Sequence, residues 1–157
     1  EYLGKYLKHS YLKNPIVYCG NFALNTVLVY YVQEAENADI KINIDIALPN
    51  EISIKDADLT VLFGNLIENA IDACENVQKD KRSIELKIHR PNAGSIVFSI
   101  DNTFDGNIKM SGNKFLSTKQ NGSGIGIESA KYVEKYNGDM KIEINDNKFC
   151  VSGVLLQ

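Results

Sequence analysis

The hydrophobic period of this chain switches early from 3.6 to 2, and that switch limits the fold more than any other feature. From Asn21 to Asn37 the apolar residues Leu24, Val27, Leu28, Tyr31, Val32 and Ala35 recur at three and four, the spacing of one helical face. Directly afterwards Ile40, Ile42, Ile44 and Ile46 alternate with Lys41, Asn43 and Asp45, the spacing of a strand with one buried side. One-sided helices and one-sided strands in the same chain hide their apolar faces by packing against each other, a helix layer on a sheet.

The rest of the chain extends this pattern. Pro49–Asn50 makes a break, Asp56 is a cap candidate, and Leu59 to Val77 reads as the longest helix. Ser83–His89 and Ser95–Ile100 are β-rich runs joined by the turn sequence Pro91–Asn92–Ala93–Gly94, a predicted hairpin. Residues 102–123 are polar and without period, which predicts a long mobile loop or lid. Ile125–Tyr136 reads as a helix ending at Asn137–Gly138, and Met140–Ile144 with Phe149–Leu156 as a closing hairpin around Asn145–Asp146–Asn147. The expected fold class is α+β: a two-layer sandwich with a mixed, mostly antiparallel sheet and helices on one face.

Composition narrows the function. With 157 residues, 44% hydrophobic and 24% charged, the chain is expected to form one ordinary core without disulfide or metal support. A net charge of −3, with no basic cluster beyond Lys79–Lys81–Arg82, argues against a nucleic-acid partner. Three cysteines without CxxC spacing and two separated histidines offer no zinc pattern. The chain begins at Glu1 and has no apolar run long enough to cross a bilayer, so a soluble piece of a longer protein is expected.

Two clusters carry chemistry. On the long helix, Asn65, Asn69 and Asp72 fall within about 60° of one another on one flank of the apolar stripe, while Glu68 points about 100° from Asn69. Two amides and a carboxylate at a helix flank are hard oxygen ligands of the kind magnesium accepts. Asparagine is a poor helix former, so two of them mid-helix carry a small local cost. The second cluster, Gly122–Ser123–Gly124–Ile125–Gly126, stands between the polar loop and the last helix. Glycines let backbone amides approach a ligand, and a helix start directs N–H groups at an anion, which suits a phosphate chain. The dinucleotide fingerprint does not fit so late in the chain, and there is no GxxxxGK[ST] run.

In this order and spacing the two clusters resemble the Bergerat-fold ATP-binding domain of histidine kinases, gyrase, the ninety-kilodalton heat-shock chaperones and MutL proteins. Asn65–Leu66–Ile67–Glu68–Asn69–Ala70–Ile71–Asp72–Ala73 resembles the N-box and Gly122–Ser123–Gly124–Ile125–Gly126–Ile127 the G2 box, with Ser117–Thr118–Lys119 in the lid. The resemblance implies ATP and Mg²⁺ as ligands, with Asn69 on the metal, Asn65 supporting the phosphates, and Gly122, Gly124, Ile125 and Gly126 cradling them. Lys119 is implied as a lid cation and Asp72 as a supporting residue. The G1 run is Asp101–Asn102–Thr103–Phe104–Asp105–Gly106, without the usual glycines; by resemblance Asp101 accepts the adenine amino group's hydrogen bond.

ATPase members of the family carry a glutamate where this chain has Asn65, and an amide cannot act as general base. That favours a protein-histidine kinase. The match is best with Agr-type peptide-pheromone quorum-sensing kinases, which resemble Asp101–Asn102–Thr103–Phe104, Phe115–Leu116–Ser117–Thr118–Lys119 and Gly20–Asn21. Neither His9 nor His89 lies in the context of a phosphoacceptor. The implied partners are therefore the dimerisation helices of the same kinase and, downstream, a response regulator. Residues 1–14, with Leu3, Tyr6, Leu7 and Tyr11 on one stripe, are expected to be the tail of the dimerisation helix or a linker, and 15–157 the catalytic domain. The piece is expected to be monomeric, in a dimeric full-length kinase, and to form the cytoplasmic part of a membrane-bound sensor. A gyrase- or MutL-type ATPase module, or an interaction domain with a decayed site, are the alternatives.

Overall fold

The computed structural model describes residues 16–107, 109–111, 114–116 and 125–157. Helix α1 spans Phe22–Asn37, strand β1 Lys41–Ala47 and helix α2 Asp56–Glu75. Strands β2 (Ser83–Asn92) and β3 (Ser95–Thr103) follow, then the short β4 (Lys109–Ser111) and β5 (Lys114–Leu116), helix α3 (Ile125–Lys135), and strands β6 (Asp139–Asn145) and β7 (Lys148–Leu156). Five strands make one sheet in the order β1-β2-β3-β7-β6. β1 pairs parallel with β2 and every other pairing is antiparallel, the mixed, mostly antiparallel sheet that the patterning predicts.

The helices lie on one face. In β3, Ile96, Phe98, Ile100 and Asn102 are buried, while Val97 is exposed and Ser99 and Asp101 half-buried. The Phe98 ring meets Phe63 of α2 edge-on, with centroids 5.4 Å apart, so the even-numbered side of β3 is the helix side. Leu24 and Leu28 of α1 and Leu59, Phe63 and Ile67 of α2 are fully buried, and each contributes about 1.5–3 kcal/mol by leaving water.

Polar residues fix the helix ends. Asn21 caps α1, its Oδ1 accepting from the Leu24 N–H at 2.9 Å while its amide donates to Asp56 Oδ1 at 3.2 Å. Asp56 is therefore a brace inside the first turn of α2; the capping position belongs to Lys55, whose side chain makes no cap bond. Arg82 donates to the carbonyls of Val77, Ala38 and Glu75 at 2.9, 2.7 and 2.9 Å, joining the carboxyl ends of α1 and α2. Lys79 pairs with Asp39 at 3.0 Å. Two members of the basic cluster are thus engaged within the fold.

The sequence predicts a structureless stretch over 102–123; residues 108, 112–113 and 117–123 of it lie outside the described residues, and over the rest the structure differs. β3 continues through Asn102 and Thr103, Phe104 is buried edge-on against Phe149 with centroids 5.8 Å apart, and β4 and β5 form a two-stranded ladder. Polar residues alternating with one aromatic conceal a strand whose partner, β7, lies about fifty residues away. The expected closing hairpin is present, turning at Asp146 with φ +49°, and α3 ends where Asn137 takes φ +52°. Residues 1–14 lie outside the described residues, so their helical reading has no counterpart here.

Candidate functional site

Two contacts set how α2 lies on the sheet. Phe63 meets Phe98, and Cys74 Sγ lies 3.4 Å from the Thr103 carbonyl oxygen. Between these contacts the helix rises about 16 Å and the strand advances about 16 Å, so α2 runs parallel to β3 and in step with it. The same arithmetic brings Asn102 to about the level of Ile71 and Asp72.

A second pair of contacts sets where the polar flank points. Asp58, Asn65, Asn69 and Asp72 stand at i, i+7, i+11 and i+14, a stripe about 60° wide. At its first member, Asp58 accepts from the Tyr136 hydroxyl at 2.5 Å and pairs with Lys135 Nζ at 2.8 Å, both at the carboxyl end of α3. The stripe therefore faces the groove between α2 and α3. α3 packs along α2 from that anchor, so Ile125, eleven residues before Tyr136, comes to about the level of Asn69. Asn65, Asn69 and Asp72 are half-buried, as a groove wall requires. The opening turn of α3, with Ile125 and Gly126, lies at the end of the helix away from that anchor, and the N–H groups and dipole of a helix start favour an anion.

The floor holds a residue that sequence reasoning missed. Asp101 lies on the sheet face away from the helices, opposite Glu85 and Cys150 in the ladders, so the structure does not bring it to the groove. Its neighbour Asn102 is the one on the helix side, 3% exposed, its amide donating to the Thr103 carbonyl at 3.0 Å. The signal was available: Ile96, Phe98 and Ile100 form a period-2 set that Asn102 continues and Asp101 does not. The expectation for Asp101 came from matching an acidic residue type, and strand parity overrides it.

Glu68 points out of the groove, about 80° from Asp58 around the axis. Lys119, Gly122 and Gly124 lie outside the described residues. His89 is on the sheet's open face, its Nε2 3.1 Å from Asp45 Oδ2, remote from the stripe. The two amide oxygens and the Asp72 carboxylate suit a hard cation that keeps several of its waters, so the residues present fit a magnesium ion carried by phosphates.

The model of a family described as a GHKL domain matches residues 54–157. Among curated proteins none matches the chain. Solved structures do. The catalytic domain of histidine kinase ThkA in a nucleotide-free form superposes with a TM-score of 0.65 at 19% identity, over 85% of this chain and 90% of that one. The mycobacterial sensor histidine kinase MprB gives 0.64 at 13% identity, over 85% and 93%. Histidine kinase ThkA in complex with the response regulator protein TrrA gives 0.61 at 17% identity, over 87% of this chain and 40% of that one. These likenesses are of fold: a mixed five-strand sheet with helices on one side.

Proposed function

The chain belongs to the GHKL domain family, whose members bind ATP, generally with Mg²⁺, and from there we propose that it is the catalytic domain of a sensor histidine kinase, passing the γ-phosphate of ATP to a histidine imidazole on a dimerisation helix. The observation that carries this reading is the stripe of Asn65, Asn69 and Asp72 facing the amino end of α3. It offers oxygen ligands on one side of a groove and backbone donors on the other, and the residue at position 65 is an amide, which cannot act as general base towards water. Asn69 would hold the metal, which when bound neutralises phosphate charge. Asn65 would orient the phosphates and the first turn of α3 would bind them through its N–H groups. Asn102 on the floor stands where the base would be read. With water left unactivated, the γ-phosphate is kept for a stronger nucleophile, and catalysis is mostly positioning.

The phosphoacceptor is proposed to come from a dimerisation helix, because His89, on the far sheet face, has no route to the groove. A response regulator would then receive the phosphate. Gly20–Asn21 supports the finer assignment to Agr-type quorum-sensing kinases: Asn21 is the cap that ties α1 to α2. The same assignment makes the domain the cytoplasmic part of a membrane-bound sensor, where ATP is available.

Calorimetric titration of ATP with and without Mg²⁺, for the wild type and Asn69→Ala, tests the site. Binding is expected to strengthen with Mg²⁺ and to lose that dependence in the variant. Mixing with a protein that carries the dimerisation helices is expected to yield phosphohistidine. Steady Mg²⁺-dependent hydrolysis that survives Asn65→Ala and disappears in Glu68→Ala would instead favour an ATPase module.

A further inference from the structure

The stripe that carries Asn65 and Asn69 begins at Asp58, and Asp58 binds the far end of the helix that faces them. Tyr136 is the centre of this contact. Its hydroxyl donates to Asp58 Oδ2 and accepts from the Lys55 N–H at 3.1 Å, while its backbone carbonyl accepts from the Leu156 N–H at 3.0 Å. Lys135 adds its ammonium to the same carboxylate oxygen and lies 6.0 Å from the Tyr136 ring centroid. Gly138, two residues after Tyr136, is so close to β7 that its missing Cβ would stand 1.9 Å from the Val154 carbonyl oxygen. The carboxyl end of α3 is therefore held by the start of α2 and by the end of β7 together.

We propose that Asp58, Lys135 and Tyr136 form a positioning clamp that sets the spacing between the amino end of α3 and Asn69, and through it the affinity for the phosphate chain of the nucleotide. Helices are stiff over this length, so a tilt at the clamped end displaces the opening turn, about 16 Å away, by a comparable angle. Charge-assisted hydrogen bonds to a carboxylate, the side chain of which is 12% exposed, hold geometry better than a solvent-facing ion pair does. The neighbouring Lys135 and Tyr136 hold the Asp58 carboxyl below the usual carboxylate range, in accord with two donors on one carboxylate oxygen. All three stand at the far end of the groove from Asn69, about 16 Å along α2. They act through α3, and this inference rests on the proposed ATP site.

The test compares the affinities for Mg²⁺-ATP and for AMP, which has the base but no β- or γ-phosphate, in wild type, Asp58→Asn, Tyr136→Phe and the surface variant Lys135→Met. Arg82→Lys, at the opposite end of α2, is the control for general loss of stability. All are measured well below the unfolding temperature. The clamp variants are expected to lose about five- to tenfold in Mg²⁺-ATP affinity with AMP unchanged, and the control to change neither. Hydrogen exchange of the α3 amides without nucleotide is expected to quicken in the clamp variants only. Equal Mg²⁺-ATP affinity in all proteins, or a parallel loss for ATP and AMP, overturns the proposal. If wild type binds neither nucleotide, the ATP reading fails, and unchanged exchange in α3 would then refute the clamp separately.

Discussion

Asp101 and Cys150 face each other across β3 and β7 on the side of the sheet that carries no helix. Burial pushes the Cys150 thiol up, and the Asp101 carboxylate beside it pushes it further, to about 12. Little thiolate then exists near neutrality, although the residue is only half-buried. Alkylation of Cys150 by iodoacetamide at pH 8 should be slow, and Asp101→Asn should speed it by about tenfold, leaving the burial contribution in place. Mass-spectrometric rates at this one site check the expectation, and an unchanged rate in the variant would sink it.

The same strand separates two neighbours by face. Asp101→Asn should leave ATP affinity within about twofold of wild type, whereas Asn102→Ala should weaken it by about tenfold, the value of one buried hydrogen bond to a base. Calorimetry on both variants decides; the reverse order would restore Asp101 to the site.

Arg82 joins three carbonyls at the ends of two helices. Arg82→Ala removes all three bonds and leaves the carbonyls of Val77, Ala38 and Glu75 without this donor, so a loss of about 2–4 kcal/mol is expected. Urea unfolding gives the number, and a change below about 0.5 kcal/mol, the range of ordinary surface substitutions, would contradict a stabilising role for these three bonds.

Two glycines should differ in tolerance. A methyl at Gly138 meets the Val154 carbonyl oxygen, which belongs to the sheet and cannot move, while a methyl at Gly20 meets the Asn50 side chain at 1.8 Å, and Asn50 is exposed. Gly138→Ala should cost about 2 kcal/mol or more, and Gly20→Ala clearly less, because Asn50 can change rotamer. Thermal unfolding of both variants checks the order.

Acid should weaken the α2–α3 junction first. The Asp58 carboxyl is held below its ordinary value of 3.8 by hydrogen bonds from Lys135 and Tyr136. A depressed folded-state value means that its stabilisation is complete above about pH 4 and is lost as pH falls through the lower, folded-state value. Denaturant midpoints at pH 7 and pH 3 should therefore differ less in Asp58→Asn than in wild type, and an equal difference would remove Asp58 from the acid response.

Much of this protein is legible in the chain. The 3.6-residue period of α1 and α2, the alternation in β1 and the Asp146–Asn147 turn are local properties, set by which side chains a helix or strand can bury, and they appear where the patterning puts them. The flank of Asn65, Asn69 and Asp72 is equally local, since 100° per residue needs no tertiary information. Its direction is not local. The bonds from Tyr136 and Lys135 to Asp58, seventy-eight and seventy-seven residues apart in sequence, turn that flank towards α3. In the same way the polar pair Asn102–Thr103 reads as loop because its hydrogen bonds go to a strand near the end of the chain, and pairing with β7 makes it part of the sheet. Periodicity determines which face of an element is apolar; which element that face meets is decided by long-range packing, where the interaction partners are distant in sequence and leave no periodic trace.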